Sequence, residues 1–128
     1  MHQAIVFHPG TLPFPFSRAT EVGGILYLSG QVAVTEKAEP LYGDITSQTR
    51  HILSAIEATL ASLDVGLDAI FKVNVWLSDM QHFAEFNREY ARWFNAAFPA
   101  RSVVSSKLAF DLDVEIEVQA VSADAHFR

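Results

Sequence analysis

Cysteine is absent from this chain of 128 residues. Its absence excludes disulfide bonds, catalysis by a thiolate, iron–sulfur clusters and cysteine-rich zinc sites. No apolar run approaches the roughly 20 residues that a transmembrane helix needs. The first residues also lack a basic segment followed by a long apolar stretch, which is the mark of a signal peptide. We therefore expect a cytoplasmic protein without a membrane partner.

Basic residues are also few, since nine Lys and Arg stand against 15 Asp and Glu and the net charge is −6. Proteins bind phosphate backbones mainly through clustered Lys and Arg, so no nucleic-acid partner is expected. The five histidines show no close ligand spacing, and we expect no metal site. Half of the residues are hydrophobic, which predicts one compact domain over residues 1–128.

The pattern of apolar residues predicts an α+β fold in the order β-β-β-α-β-α-β-β. Strands are predicted at residues 3–7, 18–22, 25–30, 71–77, 101–108 and 112–122, with an unpaired proline-rich loop at 8–15. The first helix is expected to begin after Asp44 and reach Leu63. The second is expected to follow a capping box at residues 78–81 and to end at Pro99. Its aromatic stripe, which consists of Phe83, Phe86, Tyr90 and Phe94, is interpreted as core and not as a cofactor site.

The strands and helices suggest a mixed sheet with both helices on one face. Trp76 then points away from the helices, and the residues expected beneath them are Phe71, Val73, Val75 and Leu77. The second strand of the predicted hairpin is apolar on both faces. Soluble monomers rarely expose a wide apolar patch, so we expect another copy of the chain to cover the bare face in a closed symmetric oligomer.

Two charged residues on the last strands are candidates for chemistry. Arg101 opens a strand, and a guanidinium can hold a carboxylate with two parallel hydrogen bonds. The last strand places Asp113, Glu115, Glu117 and Gln119 on one face; we interpret Glu117 and Gln119 as solvated. A carboxylate near a subunit boundary would be partly desolvated, with a shifted pKa. Arg101 could equally be a surface or salt-bridging residue.

Several short segments, in their order and spacing, resemble the RidA/YjgF family of enamine/imine deaminases, also called the L-PSP endoribonuclease family. The most specific pair is Pro99-Ala100-Arg101-Ser102 and the closing Val114-Glu115-Ile116-Glu117 strand. The other segments that carry the resemblance are Pro15-Phe16-Ser17, Leu28-Ser29-Gly30-Gln31 and residues 44–50, 72–79 and 86–90.

The resemblance implies a chorismate-mutase-like fold and a homotrimer with a central barrel and clefts between subunits, without metal or organic cofactor. Members of the family hydrolyse imines such as 2-iminobutanoate and 2-iminopropanoate, and their enamine tautomers, to 2-keto acids and ammonia. On this chain, Arg101 would hold the substrate carboxylate, and Glu115 would activate water or carry a proton to the leaving nitrogen. The substrate-binding residues that the resemblance implies are Phe16, Ser29, Gly30, Asn87, Arg101, Ser102 and Val103.

Three positions depart from the family pattern. Phe16 stands where many members have Tyr, Val103 where many have Cys, and Arg18 where Gln is common. Phe16 lacks the hydroxyl that a tyrosine would place there, which could slow turnover or favour apolar substrate side chains. Phe16 and Val103 motivate one alternative, a carboxylate-binding trimer with little catalysis. A second alternative is an endoribonuclease, a name that some relatives carry, which the acidic charge and the lack of a catalytic histidine pair disfavour. The shape of the pocket is expected to depend on Phe14, Phe16 and residues 35–42.

Overall fold

The computed structural model describes residues 4–95 and 97–124, which form two α-helices and one six-stranded sheet. The predicted order is confirmed, although Gln3 of the predicted first strand lies outside the described residues. The elements are β1 (Val6–Pro9), β2 (Ser17–Val22), β3 (Ile25–Leu28), α1 (Ile45–Ser62), β4 (Ile70–Leu77), α2 (Phe83–Ala91), β5 (Ala100–Ser105) and β6 (Val114–Val121). Within the described residues, no helix is both long and apolar enough to span a bilayer.

The last strand lies inside the sheet, whose order is β1-β2-β3-β6-β4-β5. β6 is antiparallel to both β3 and β4, whereas β4 and β5 are parallel and are joined through α2. Parallel neighbours were predicted for this strand–helix–strand step. The loop predicted at residues 8–15 is shorter than expected, because His8 and Pro9 pair with Ala19 and Ser17. Pro9 is tolerated there because β1 is an edge strand.

The core lies between the helices and one face of the sheet. On β6 every second residue is buried, and the residues between them are only half-buried. α1 contributes a buried apolar stripe that includes Ile52, Ile56 and Leu60. The buried residues of β6 are Val114, Ile116, Val118 and Ala120.

Phe71 is the exception to the predicted packing of β4. Val73, Val75 and Leu77 are buried as expected, but Phe71 is 41% exposed and Ile70 is buried instead. The cause is a register shift, since Ile70 pairs with β6 and Lys72 pairs with the next β6 residue, which leaves Phe71 as an extra residue. A bulge of this kind reverses the direction of the side chains that precede it.

α1 begins and ends where the sequence predicts. The Asp44 carboxylate accepts a hydrogen bond from the Ser47 amide over 2.8 Å and caps the first turn. Leu63 is the C-terminal cap residue. The Asp44 cap satisfies one of the amides that the first turn of a helix leaves without an intrahelical partner.

α2 is shorter than predicted and begins differently. The Ser78 hydroxyl donates to the Asp113 carboxylate and does not cap the helix, whereas Asp79 accepts from the Gln81 amide in a short 3₁₀ turn. The helix ends at Ala91, and the next amides, of Arg92 and Trp93, bond three residues back. The apolar pattern continues past Ala91 because Trp93 and Phe94 still pack against the core.

A buried carboxylate joins the two helices. Glu89 of α2 is 4% exposed and accepts hydrogen bonds from Arg50 of α1, from Arg92 and from the indole N–H of Trp93. Burial pushes the pKa of Glu89 upward, but the hydrogen bonds from Arg50 and Trp93 outweigh it and hold the pKa below its usual range. Glu89 therefore fixes α2 against α1 in its ionised form.

We expect Glu89→Ala to lower the free energy of unfolding by about 1–3 kcal/mol, because the Trp93 indole N–H loses its acceptor. Since the pKa of Glu89 is depressed in the folded protein, this contribution is present above the usual carboxyl range and is lost as the pH falls. Urea unfolding at neutral and acidic pH measures both effects. The matched control is Glu57→Ala on the exposed side of α1; an equal loss in both variants would contradict the assignment.

Candidate active site

Arg101 lies on the helix-covered face of the sheet. It pairs with Val73 of β4, which points into the core, so both side chains share that face. The guanidinium carbon lies 4.9 Å from the ring centre of Tyr90, 5.7 Å from that of Phe83 and 5.8 Å from that of Phe86. A cation over aromatic faces at these distances is held by electrostatic attraction to the rings.

The guanidinium of Arg101 is free to take a carboxylate. Among the residues that the structure describes, none offers a carboxylate oxygen within 4.0 Å of it. The side chain is half-buried on its aromatic support, so it is held in place. The prediction that the aromatic stripe of α2 is core is correct for Phe86 and Tyr90 but wrong for Phe83, which is 40% exposed. This supporting role was not predicted from the sequence, although the helical spacing of Phe83, Phe86 and Tyr90 could have suggested it.

Two polar groups of α2 are candidates for contact with a ligand. The side-chain oxygen of Asn87 and the hydroxyl of Tyr90 are buried and have no hydrogen-bond partner within the described ranges. Buried polar atoms without partners are rare in folded proteins. Burial raises the pKa of Tyr90 to about 12, against the opposing charge of Arg101, so its hydroxyl remains a donor at neutral pH. Within the described ranges, α2 thus offers an acceptor at Asn87 and a donor at Tyr90, whose ring lies against the guanidinium.

Glu115 lies on the opposite face of the sheet. It pairs with Trp76 of β4, whereas its neighbours Val114 and Ile116 are buried under the helices. Burial raises the pKa of the Glu115 carboxyl, and the negative charge of Glu117 on the same face raises it further. A raised pKa brings the protonated and ionised forms closer to equal population near neutral pH, as a proton-transfer group requires.

A cavity of about 840 Å³ borders Glu115. Gly30 lies at the same border, and a Cβ atom there would overlap the Glu115 carboxylate, with the carboxyl carbon only 3.2 Å away. Glycine at position 30 is therefore required for the observed place of Glu115. Phe16 and Arg18 also line the cavity.

The remaining predicted residues are divided between the two faces. Val103 packs against the core on the same face as Arg101, whereas Ser102 pairs with Asn74 and points to the other face. The Ser29 hydroxyl donates to the Ser17 carbonyl over 2.6 Å and is not part of the cavity wall. β5 is an edge strand, so backbone groups along its outer side have no partner in the sheet.

Asp113 does not border the cavity with Glu115 but bonds residues of α1 and the end of β4. Its carboxylate accepts hydrogen bonds from Gln48 of α1 and Ser78 at the end of β4. Its amide donates to the Gln48 side chain, so Asp113 serves to anchor the start of β6. Within residues 4–95 and 97–124, no group of three or more His, Asp or Glu side chains is arranged to hold a metal ion.

Comparison with known proteins identifies the family. A family model described as Endoribonuclease L-PSP matches residues 11–122. The chain belongs to this family. The resemblance to the RidA/YjgF family predicted from the sequence is thereby confirmed, and so is the fold, which similar solved structures share.

Individual relatives support the same grouping. The chain is 38% identical to protein HMF1 of Saccharomyces cerevisiae over 85% of this chain and 84% of the relative. It is 32% identical to the 2-iminobutanoate/2-iminopropanoate deaminase of Escherichia coli over 84% of this chain and 87% of that enzyme. The crystal structure of yeast Mmf1 superposes with a TM-score of 0.84 at 34% identity, covering 93% of this chain and 99% of that one.

We expect Glu117→Gln to lower the pKa of Glu115, because the substitution removes a like charge from the same face while leaving an oxygen to accept from Asn74. The pKa should stay above the usual value of 4.5, since burial is unchanged. Carbon-13 NMR titration of the Glu115 carboxyl gives the midpoint directly. Glu57→Gln, the same change on an exposed helix position, should leave the midpoint where it is. An equal shift in both variants, or none in Glu117→Gln, would contradict this interpretation.

Proposed function

We propose that the protein hydrolyses 2-imino acids and their enamine tautomers to 2-keto acids and ammonia. The observation that carries the proposal is the Arg101 guanidinium, which is held on aromatic rings without a carboxylate partner among the described residues. The substrates of this class carry a carboxylate beside the C=N bond, which a guanidinium binds through two parallel hydrogen bonds. Relationship to the Escherichia coli deaminase supports the same class of reaction.

The complete site requires two copies of the chain. Arg101 and Glu115 lie on opposite faces of one sheet, so they meet only if the Glu115 face of one copy lies against the Arg101 edge of the next. A head-to-tail contact of this kind gives a closed ring when its rotation divides a full turn. We propose the homotrimer that the family resemblance implies, with one cleft at each contact. The open sheet face supports burial by a partner because it includes Tyr27, Trp76 and Val104.

In the proposed reaction, Arg101 holds the substrate carboxylate and so fixes the C=N carbon near Glu115 of the neighbouring copy. Ionised Glu115 accepts a proton from water as the water oxygen bonds to that carbon. The tetrahedral product then receives the proton from Glu115 on its nitrogen. Glu115 next takes the hydroxyl proton of this carbinolamine and passes it to the nitrogen as the carbonyl forms and the C–N bond breaks, so that ammonia and a 2-keto acid leave. Asn87 and Tyr90 would supply hydrogen bonds on the Arg101 side, and Gly30 leaves room for the Glu115 carboxylate.

The carboxylate-binding alternative keeps the same ligand class. It draws support from Phe16, which offers no hydroxyl in the cavity, and from Val103, which offers no thiol. Water activation by Glu115 requires neither group, so we favour catalysis. The cytoplasmic location stays a prediction, because the related yeast protein MMF1 is named as mitochondrial.

We expect Arg101→Ala to lower kcat/KM at least about a hundredfold, because the substrate carboxylate loses a partner in a partly dry site. Imines are generated in place by an amino-acid oxidase, and 2-keto acid and ammonia are measured above the spontaneous rate. Arg101→Lys should be intermediate, since it keeps the charge and loses the paired hydrogen bonds. The control is Arg88→Ala on the exposed side of α2. Full activity in Arg101→Ala would refute the proposal, and 2-keto acid binding without turnover in the unmodified protein would favour the alternative.

We expect mixed oligomers of two inactive variants to recover activity. Arg101→Ala and Glu115→Gln are each inactive alone, but random assembly gives about one site in four with both intact side chains if each site joins two copies. Activity near a quarter of the unmodified level after co-refolding checks this, with light scattering to measure oligomer size. No recovery in correctly sized mixed oligomers would mean that the two residues do not act across a contact between copies.

A further inference from the structure

The cavity beside Glu115 is much larger than a small imino acid needs. Its volume of about 840 Å³ lies in the range of sites that bind drug-sized ligands. It extends from Glu115 and Gly30 to the N-terminal loop and to α1, where small residues of the helix, Ala55 and Ala58, leave it room. A methyl or ethyl side chain at the reacting carbon would leave most of this space unfilled.

The wall of the cavity is aromatic. Phe14 stacks on Phe16 with ring centres 6.3 Å apart and an angle of 16°, and Phe110 lies 6.1 Å from Phe14. All three rings line the cavity and remain more than a third exposed. Rings at these separations can accept a further aromatic or branched apolar group between or beside them. Further apolar lining comes from Leu12, Val32 and Val34.

Phe110 is held over the cavity in a backbone conformation that bulky residues avoid. It has φ 60° and ψ 18°, and the next residue, Asp111, has φ 53°. Left-handed backbone is strained for a residue with a large side chain and is ordinarily taken by glycine or asparagine. The Tyr42 hydroxyl donates to the Phe110 carbonyl over 2.9 Å and helps to hold the turn. Such strain persists only where the surroundings enforce it, and it is concentrated at ligand sites.

We infer that this cavity receives the side chain of the substrate, that this side chain is large and apolar, and that Phe110 determines the preference. The inference rests on the proposed function. The charged lining residues oppose an acidic side chain, because Glu36 and Glu115 outnumber Arg18. The reaction then proceeds at Glu115 while the side chain packs against Phe14, Phe16 and Phe110.

The test compares kcat/KM for the imines of phenylalanine, leucine, alanine and glutamate, each generated in place by an amino-acid oxidase that accepts the parent amino acid. We expect the phenylalanine and leucine imines to be preferred over the alanine and glutamate imines by at least about tenfold. If kcat/KM for the alanine or glutamate imine equals or exceeds that for the phenylalanine and leucine imines, this inference is overturned and the proposed function still stands. Turnover of none of the four would overturn the proposed function, and the inference with it.

The role of Phe110 is tested by Phe110→Gly, which removes the ring and is compatible with the left-handed backbone, so the variant should still fold. We expect the ratio of kcat/KM for the phenylalanine imine to that for the alanine imine to fall at least about tenfold. The matched control is Asp64→Gly, which relieves the same backbone conformation (φ 66°) beyond the end of α1 and should not change the ratio. An unchanged ratio in Phe110→Gly, with turnover retained, would remove Phe110 from the preference.

Discussion

The insertion of β6 between β3 and β4 is the constraint on which the arrangement of the site depends. β6 has hydrogen-bonded neighbours on both sides, so its register is fixed by two strands. A shift of one residue would turn every side chain to the other face of the sheet, so the register also decides which residues face the helices. Val114, Ile116 and Val118 fill the core, so Glu115 and Glu117 must lie together on the face that the helices do not cover. Burial raises the pKa of Glu115, and the nearby charge of Glu117 raises it further.

The same alternation places the cation. The parallel pairing of β5 with β4 sets Arg101 beside Val73, on the face where α2 packs, and α2 presents its rings to the guanidinium. Glu89 holds α2 on α1, so the position of those rings depends on a contact between the helices. A cation and a carboxylate separated by the thickness of one sheet cannot serve one ligand from a single copy. The separation is what makes an assembly of copies a requirement of the proposed chemistry.

Sequence patterns predicted most of the fold and less of the site. Asp44 and Leu63 bounded α1 correctly because a cap residue and an apolar stripe are local signals. Phe71 was wrongly predicted to lie beneath the helices because Ile70 and Phe71 are both apolar. A bulge between two apolar residues does not change the pattern of apolar and polar residues in the sequence. α2 was predicted too long because residues after a helix can continue its apolar pattern while bonding in tighter turns. Phe110 was not predicted as a cavity residue because its position depends on left-handed backbone, a conformation that a phenylalanine in the sequence does not indicate.

Both ends of the loop that carries Phe110 are fastened to adjacent positions of the sheet. At one end the Ser106 amide donates to the Leu77 carbonyl, and at the other the Ser78 amide donates to the Asp113 carbonyl. The Asp113 amide also donates to the Gln48 side chain of α1. Replacements between these anchors change the wall of the cavity without disturbing the strands on which Arg101 and Glu115 lie. Under the proposed function, natural variants of this chain can therefore diverge in ligand choice through this segment while Arg101 and Glu115 stay unaltered.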